Sequence, residues 1–178
     1  FKSIFDLPAP WFETSSIYGA AFDADPVGAM LFIGDSVGES IASTFASVIT
    51  PAYPTMNYQS LSNRCLVGPS CVAAASGAPD APAIINALTP EQYPSIAIIQ
   101  LGYNDDPNTF QSDVDQVVNA LSTRGVQRIV FINLSTRRTS RNYALSNAVL
   151  TSATTMYPNV SVFDWNTASS APSQNRWF

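Results

Sequence analysis

The stretch Ala29-Met30-Leu31-Phe32-Ile33-Gly34-Asp35-Ser36-Val37-Gly38 decides how the chain folds. Its apolar run reads as a strand with no face in water, because a half-exposed strand would alternate polar and apolar residues. Past Gly34 the period changes. Val37, Ile41, Phe45, Val48 and Ile49 recur at helical spacing, and Pro51 and Pro54 close that helix. A buried strand turning through Gly-Asp-Ser into an amphipathic helix is the first half of a βαβ unit.

The same alternation continues downstream. Thr55 to Ser60 reads as a second strand, and Ala81 to Leu88 as a short helix capped by Asp80. Ile96 to Leu101 reads as another buried strand. Phe110, Val114, Val117, Val118 and Leu121 then mark a helix that stops at Gly125. Arg128 to Leu134 is a strand, Tyr143 to Met156 a helix with Leu145, Val149, Ala153 and Met156 on one face, and Val160 to Phe163 a last strand. The expected fold is α/β, a three-layer α/β/α domain with a mostly parallel sheet of about five strands in a flavodoxin-like arrangement. Residues 1–27 hold Pro8, Pro10 and Pro26 among scattered aromatics, and read as an irregular arm packed on a single domain spanning 28–178.

A chain of 178 residues, 46% hydrophobic and 12% charged, is long enough for one substantial core and too apolar for disorder. Its net charge is -5, with Lys2 and seven arginines as the only cations. No basic stripe can neutralise a phosphate backbone, which argues against nucleic acid and against anionic membrane surfaces. No apolar run approaches the roughly 20 residues of a spanning helix. Cys65 and Cys71 flank Gly68-Pro69, and a turn there can bring them into disulfide range, a bond worth about 2 kcal/mol in so small a loop. Two buried thiols are the other reading. Without histidine or a second cysteine pair they cannot fill a zinc site, so no metal is expected. No cofactor is expected either, since Asp35 and Glu39 stand where a nucleotide-binding loop would cradle phosphate. Low lysine, abundant Ser/Thr and a disulfide favour an extracytoplasmic compartment. The start at Phe1, without an initiator methionine, is expected of a mature piece of a longer precursor.

Ligands of parallel α/β sheets bind beyond the carboxyl ends of the strands. Gly34-Asp35-Ser36 ends the first strand and Gly102-Tyr103-Asn104-Asp105 ends the third, so both face one edge. A serine opening a helix presents a hydroxyl and a backbone N–H together, and the helix N-terminus favours developing negative charge. An asparagine aimed at the same point adds a second donor. These are parts of an acyl-transfer site. Singly, Gly-Asp-Ser is also a common cap and Gly-x-Asn-Asp-Asp-Pro a common turn. Their order and placement carry the weight.

With these residues the chain resembles the SGNH (GDSL-type) hydrolase family from about residue 29 onward. Gly34-Asp35-Ser36-Val37 resembles its first block, which implies Ser36 as nucleophile. Gly102-Tyr103-Asn104-Asp105 resembles its third block, implying Asn104 as oxyanion donor with Gly102 supporting the motif. Ser62-Asn63-Arg64 matches the second block with Asn63 in place of the usual glycine, so the Asn63 N–H is the implied second oxyanion donor. Arg64 is then a candidate for holding substrate or shaping the site, against a solvated surface arginine. Asn133-Leu134-Ser135-Thr136-Arg137-Arg138, Asn147 and Val162-Phe163-Asp164-Trp165-Asn166 resemble the bacterial cell-envelope branch, whose SGNH domains attach to membrane acyltransferases that O-acetylate glycans. That resemblance adds Arg137 as a substrate-binding candidate and implies an acylated carbohydrate or small ester as partner.

The sequence contains no histidine. A serine nucleophile needs a base to take its proton and return it to the leaving group. Asp35 is expected to be turned away by the strand geometry, and Asp105 and Asp164 to organise loops. In the relatives a segment like Asn175-Arg176-Trp177-Phe178 leads into an Asp-x-x-His block, so that block is expected just beyond Phe178. The expected function is a serine esterase or O-acyltransferase on cell-envelope carbohydrate. The alternative is an SGNH-like domain without catalysis that binds glycan or a partner protein.

Overall fold

The computed structural model describes residues 29–72 and 77–170. The arm expected at 1–27 and the segment 171–178 lie outside them. Five strands, β1 (Met30–Gly34), β2 (Met56–Ser60), β3 (Ile96–Gln100), β4 (Arg128–Ile132) and β5 (Val160–Phe163), form one sheet in the order β2-β1-β3-β4-β5. Every neighbouring pair is parallel. The helices are α1 (Ser36–Ile49), α2 (Ala81–Ala87), α3 (Phe110–Ser122), α4 (Tyr143–Met156) and α5 (Trp165–Ser170). The three-layer α/β/α fold expected from the alternation is the one observed.

β1 is buried along its whole length because helices cover both faces of the sheet. Leu31 and Ile33 face one layer, where Ile84 and Ile85 of α2, Val114, Val117, Val118 and Leu121 of α3, and Leu150 and Ala153 of α4 complete the larger core. Met30 and Phe32 face the other, against Phe45 of α1 and Tyr53. There the Phe32 ring stacks on Tyr58 at 4.5 Å and meets Phe45 at 4.8 Å. Two aromatic contacts on one central strand fix how α1, and with it Ser36, sits on the sheet.

Two local expectations need correction, and one helix was not expected. The inner face of α4 carries Tyr143, Ser146, Leu150 and Ala153, while Leu145 and Met156 are exposed. The apolar spacing chose a stripe rotated from the true one, because Ser146 and Tyr143 are polar or amphipathic residues that the core accepts. β3 and β4 end at Gln100 and Ile132, shorter than their apolar runs. Leu101 and Leu134 remain buried beyond the ladder, where the chain leaves the sheet to build the site. Finally, α5 follows β5 directly, with the Asp164 carboxylate accepting the Thr167 N–H at 3.0 Å.

The strand order places the site. From β1 the chain moves to β2 on one side and then crosses to β3 on the other, so the carboxyl ends of β1 and β3 flank a topological switch point. Loops leaving in opposite directions open a crevice there.

Candidate active site

Ser36 is the first residue of α1 and is exposed. Among the described residues its hydroxyl has no hydrogen-bond partner. The turn that presents it is rigid. Asp35 is the N-cap, accepting the Val37 N–H at 2.9 Å, and is itself fully buried. The Gln100 side chain at the end of β3 accepts the Gly38 N–H at 2.8 Å, and the Tyr58 hydroxyl donates to the Gly38 carbonyl at 2.6 Å. A Cβ at position 38 would lie 2.7 Å from Ser60 Oγ and 3.0 Å from Gln100 Oε1. Glycine there lets the first turn of α1 close onto the strand ends.

The loop after β2 carries Asn63, whose φ of 61° lies in the left-handed region. Glycine adopts that backbone freely and asparagine tolerates it better than most residues, so Asn63 holds a conformation that a glycine would also take. Glu39 of α1 holds this loop, accepting the Ser62 N–H at 3.0 Å and the Ser62 hydroxyl at 2.5 Å. Arg64, at 3% exposure, is no surface residue. Its Nε donates to the Pro79 carbonyl at 2.9 Å and its Nη1 to the carbonyls of Gly34, at 3.2 Å, and Gln59. Of the two site roles expected for Arg64, these bonds support shaping. Burial lowers its pKa from the usual value, while the charges of Asp35 and Glu39 oppose that shift.

The loop after β3 is tied to the same unit. Asn104 is half-buried, and its Nδ2 donates to the Arg64 carbonyl at 3.0 Å, which fixes the amide and leaves its second N–H over. Gly102 has a φ of 129°, and a Cβ there would meet Phe110 Cζ at 2.9 Å. No side chain fits that position. Cys65 and Cys71 form a disulfide with Cα atoms 5.5 Å apart, so the two-thiol reading falls away. Beside it the Val72 N–H reaches the Asn104 carbonyl at 2.9 Å, and Asp105 accepts the Leu66 N–H at 2.8 Å. The loops bearing Asn63 and Asn104 are therefore one cross-linked piece.

Arg137 is exposed and donates to the Ser169 carbonyl of α5 at 3.2 Å. Its neighbour Arg138 is nearer the Ser36 turn, with its guanidinium 5.0 Å from the Tyr103 ring centre and its charge felt by Asp35. Sequence reasoning gave no role of their own to Gln100, Tyr103, Arg138 or Arg141, and read Glu39 only as an obstacle to phosphate. Gln100 gave a signal, being a lone polar residue at the end of an apolar strand. The others act across long sequence separations and gave none.

Two carboxyls are strongly perturbed. Burial pushes Asp35 up to about 6, against the Val37 N–H, Gln100 and Arg138, and pushes Asp105 up to about 7 against the N–H groups of Leu66 and Val67. Among the described residues, each has one buried oxygen without a hydrogen-bond partner. An acid whose folded pKa is raised holds a proton that the unfolded chain releases, so its stabilising contribution is complete below the ordinary value of 3.8 and falls as pH rises to about 7. Asp105→Asn is expected to flatten this slope and to raise Tm at neutral pH relative to the parent, measured by melts from about pH 4 to pH 8. Asp35→Asn should flatten the slope only up to about pH 6 and keep a constant gain in Tm above that. An unchanged pH profile in Asp105→Asn would contradict the assignment.

No protein-family model matches the chain, and no curated protein matches it.

Proposed function

We propose that the protein is an SGNH-type serine esterase or O-acyltransferase acting on acyl groups, most simply acetyl, of an extracytoplasmic carbohydrate. The observation that carries this reading is the exposed Ser36 hydroxyl at the start of α1, without a hydrogen-bond partner among the described residues, on a helix whose Glu39 holds the loop of Asn63, itself tied to the loop of Asn104. Ser36 Oγ attacks the ester carbonyl carbon while its proton passes to a base. The oxyanion is stabilised by the Ser36 and Asn63 N–H groups and the free Asn104 N–H. Collapse breaks the bond to the alcohol oxygen, which leaves with the proton. Water or a sugar hydroxyl then attacks the acyl-enzyme, which makes the reaction hydrolysis or transfer.

The base of this scheme is a histidine, and the 178 residues contain none. Imidazole added to the solution can stand in for it. The chain is incubated with 4-nitrophenyl acetate with and without imidazole, and acetylated peptides are mapped by mass spectrometry. Acetyl on Ser36 that forms faster with imidazole supports the reading. Acetyl spread over surface hydroxyls, or a Ser36 that never labels, favours the binding domain without chemistry. Attachment to a membrane acyltransferase belongs to the same proposal. Among the described residues no helix is long and apolar enough to cross a membrane.

A further inference from the structure

Two large apolar side chains that the fold leaves in water, Val72 at 47% exposure and Leu145 at 40%, line one and the same cleft. Apolar residues scattered singly over a surface need no explanation, but two that share a concave site with polar groups do. The cleft measures about 340 Å³ and opens between Val72, the loop after β3 and the start of α4, at the carboxyl edge of the sheet. Its frame is fastened to the chain that carries Asn104. The Val72 N–H donates to the Asn104 carbonyl at 2.9 Å, and Arg141 Nη1 donates to the Tyr103 carbonyl at 2.8 Å.

The polar part of the lining has both signs of charge. Asp106 and Arg141 both border the cleft, yet no ion pair joins them. One carboxylate oxygen of Asp106 accepts the Asn108 N–H at 2.9 Å and Asn108 Nδ2 at 2.8 Å, which leaves its other oxygen over. Arg141 commits one N–H of five to Tyr103. Asn108, also in the lining, keeps its amide oxygen.

These groups select a ligand by its chemistry. An anion is repelled by Asp106 and a cation by Arg141, whereas a neutral molecule bearing hydroxyls can donate to the carboxylate and accept from the guanidinium at once. The remaining lining, Val72, Pro107 and Leu145, calls for apolar C–H surface on the same molecule. A pyranose ring offers both, with hydroxyls at its rim and C–H groups on its faces. The volume lies near the lower end for small-ligand sites, which fits one ring better than a long chain.

We propose that this cleft is a carbohydrate subsite for one neutral pyranose unit, held by Asp106, Asn108 and Arg141 and packed on Leu145, Val72 and Pro107. The inference deepens the esterase reading and rests on it for one point, that the seated sugar belongs to the glycan whose acyl group meets Ser36. Binding itself is testable without turnover. The full chain is titrated with the neutral methyl glycosides of glucose, galactose and mannose, and with D-glucuronate and D-glucosamine as charged controls, followed by NMR. At least one neutral glycoside should bind about five-fold tighter than either control, shift the amides of residues 106–108 and the Leu145 methyls, and be insensitive to salt. Leu145→Arg, at an exposed helical position, should fill the cleft and weaken binding at least about ten-fold with the melting curve unmoved; Asn108→Ala, also exposed, should weaken it about three-fold. No binding of any neutral glycoside, a charged sugar bound as tightly or tighter, shifts confined to other surfaces, or a Leu145→Arg variant that binds like the parent would overturn the subsite. Ser36 acetylation without sugar binding removes only the subsite, and sugar binding without acetylation removes only the chemistry.

Discussion

Ser36→Ala is expected to lower imidazole-assisted release of nitrophenol from an acetyl ester to the level of imidazole alone. The effect on folding should be small, within about 0.5 kcal/mol. Both halves of that expectation come from one observation: the hydroxyl is exposed and bonded to nothing among the described residues, so its removal breaks no contact. A serine retained only as a cap would behave in reverse, but here Asp35 is the cap and accepts the Val37 N–H. Stopped-flow measurement of the nitrophenol burst alongside a thermal melt separates the two cases. If Ser36→Ala keeps its burst, the nucleophile is elsewhere; if it loses several kcal/mol, the hydroxyl is structural.

Arg64→Ala is expected to cost about 3 kcal/mol, or about 10 °C in Tm, the larger stability effect among the site substitutions. The Gln59 and Pro79 carbonyls lose their guanidinium donor, and Gly34 keeps only the Leu61 N–H at 3.2 Å. Buried acceptors without donors carry the desolvation penalty in full. The catalytic effect should follow through geometry, because the Arg64 carbonyl holds the Asn104 amide. Arg64→Met restores the aliphatic stem and should recover part of the stability while leaving acetylation of Ser36 slow. A Met variant with full activity would show that the guanidinium does not orient Asn63 and Asn104 for the reaction. An Ala variant as stable as the parent would show that solvent replaces its bonds.

Regular elements were legible because their signals are local. β1 and β3 are apolar without interruption, Asp80 and Pro82 mark the start of α2, and Gly125, with a φ of 76°, follows the end of α3. The face of α4 was misread because apolar spacing ranks Leu145 above Ser146, while the core takes Ser146 at 1% exposure. In the site, Ser36 and Asn104 were legible because topology alone brings the ends of β1 and β3 together. The supports were not. Glu39 reaches Ser62 across 23 residues and Arg141 reaches Tyr103 across 38, and no spacing rule predicts such pairs. Arg64 was ambiguous for a physical reason: nothing in a loop sequence tells whether a guanidinium will find carbonyls or water.

The position of β1 between β2 and β3 has a consequence for the order of events during synthesis. The turn that carries Ser36 is locked by Gln100, which lies 65 residues after Asp35 and 62 after Gly38. Closing so long a loop costs entropy before any contact rewards it. While the chain is being made, α1 and β2 can emerge and pair with β1, but the bond that aims the serine waits for β3 to leave the ribosome. Until then one edge of β1 is open, a fully apolar strand able to pair with any other extended segment. The completion of β3 therefore closes both the site and the period of greatest aggregation hazard in a single pairing step.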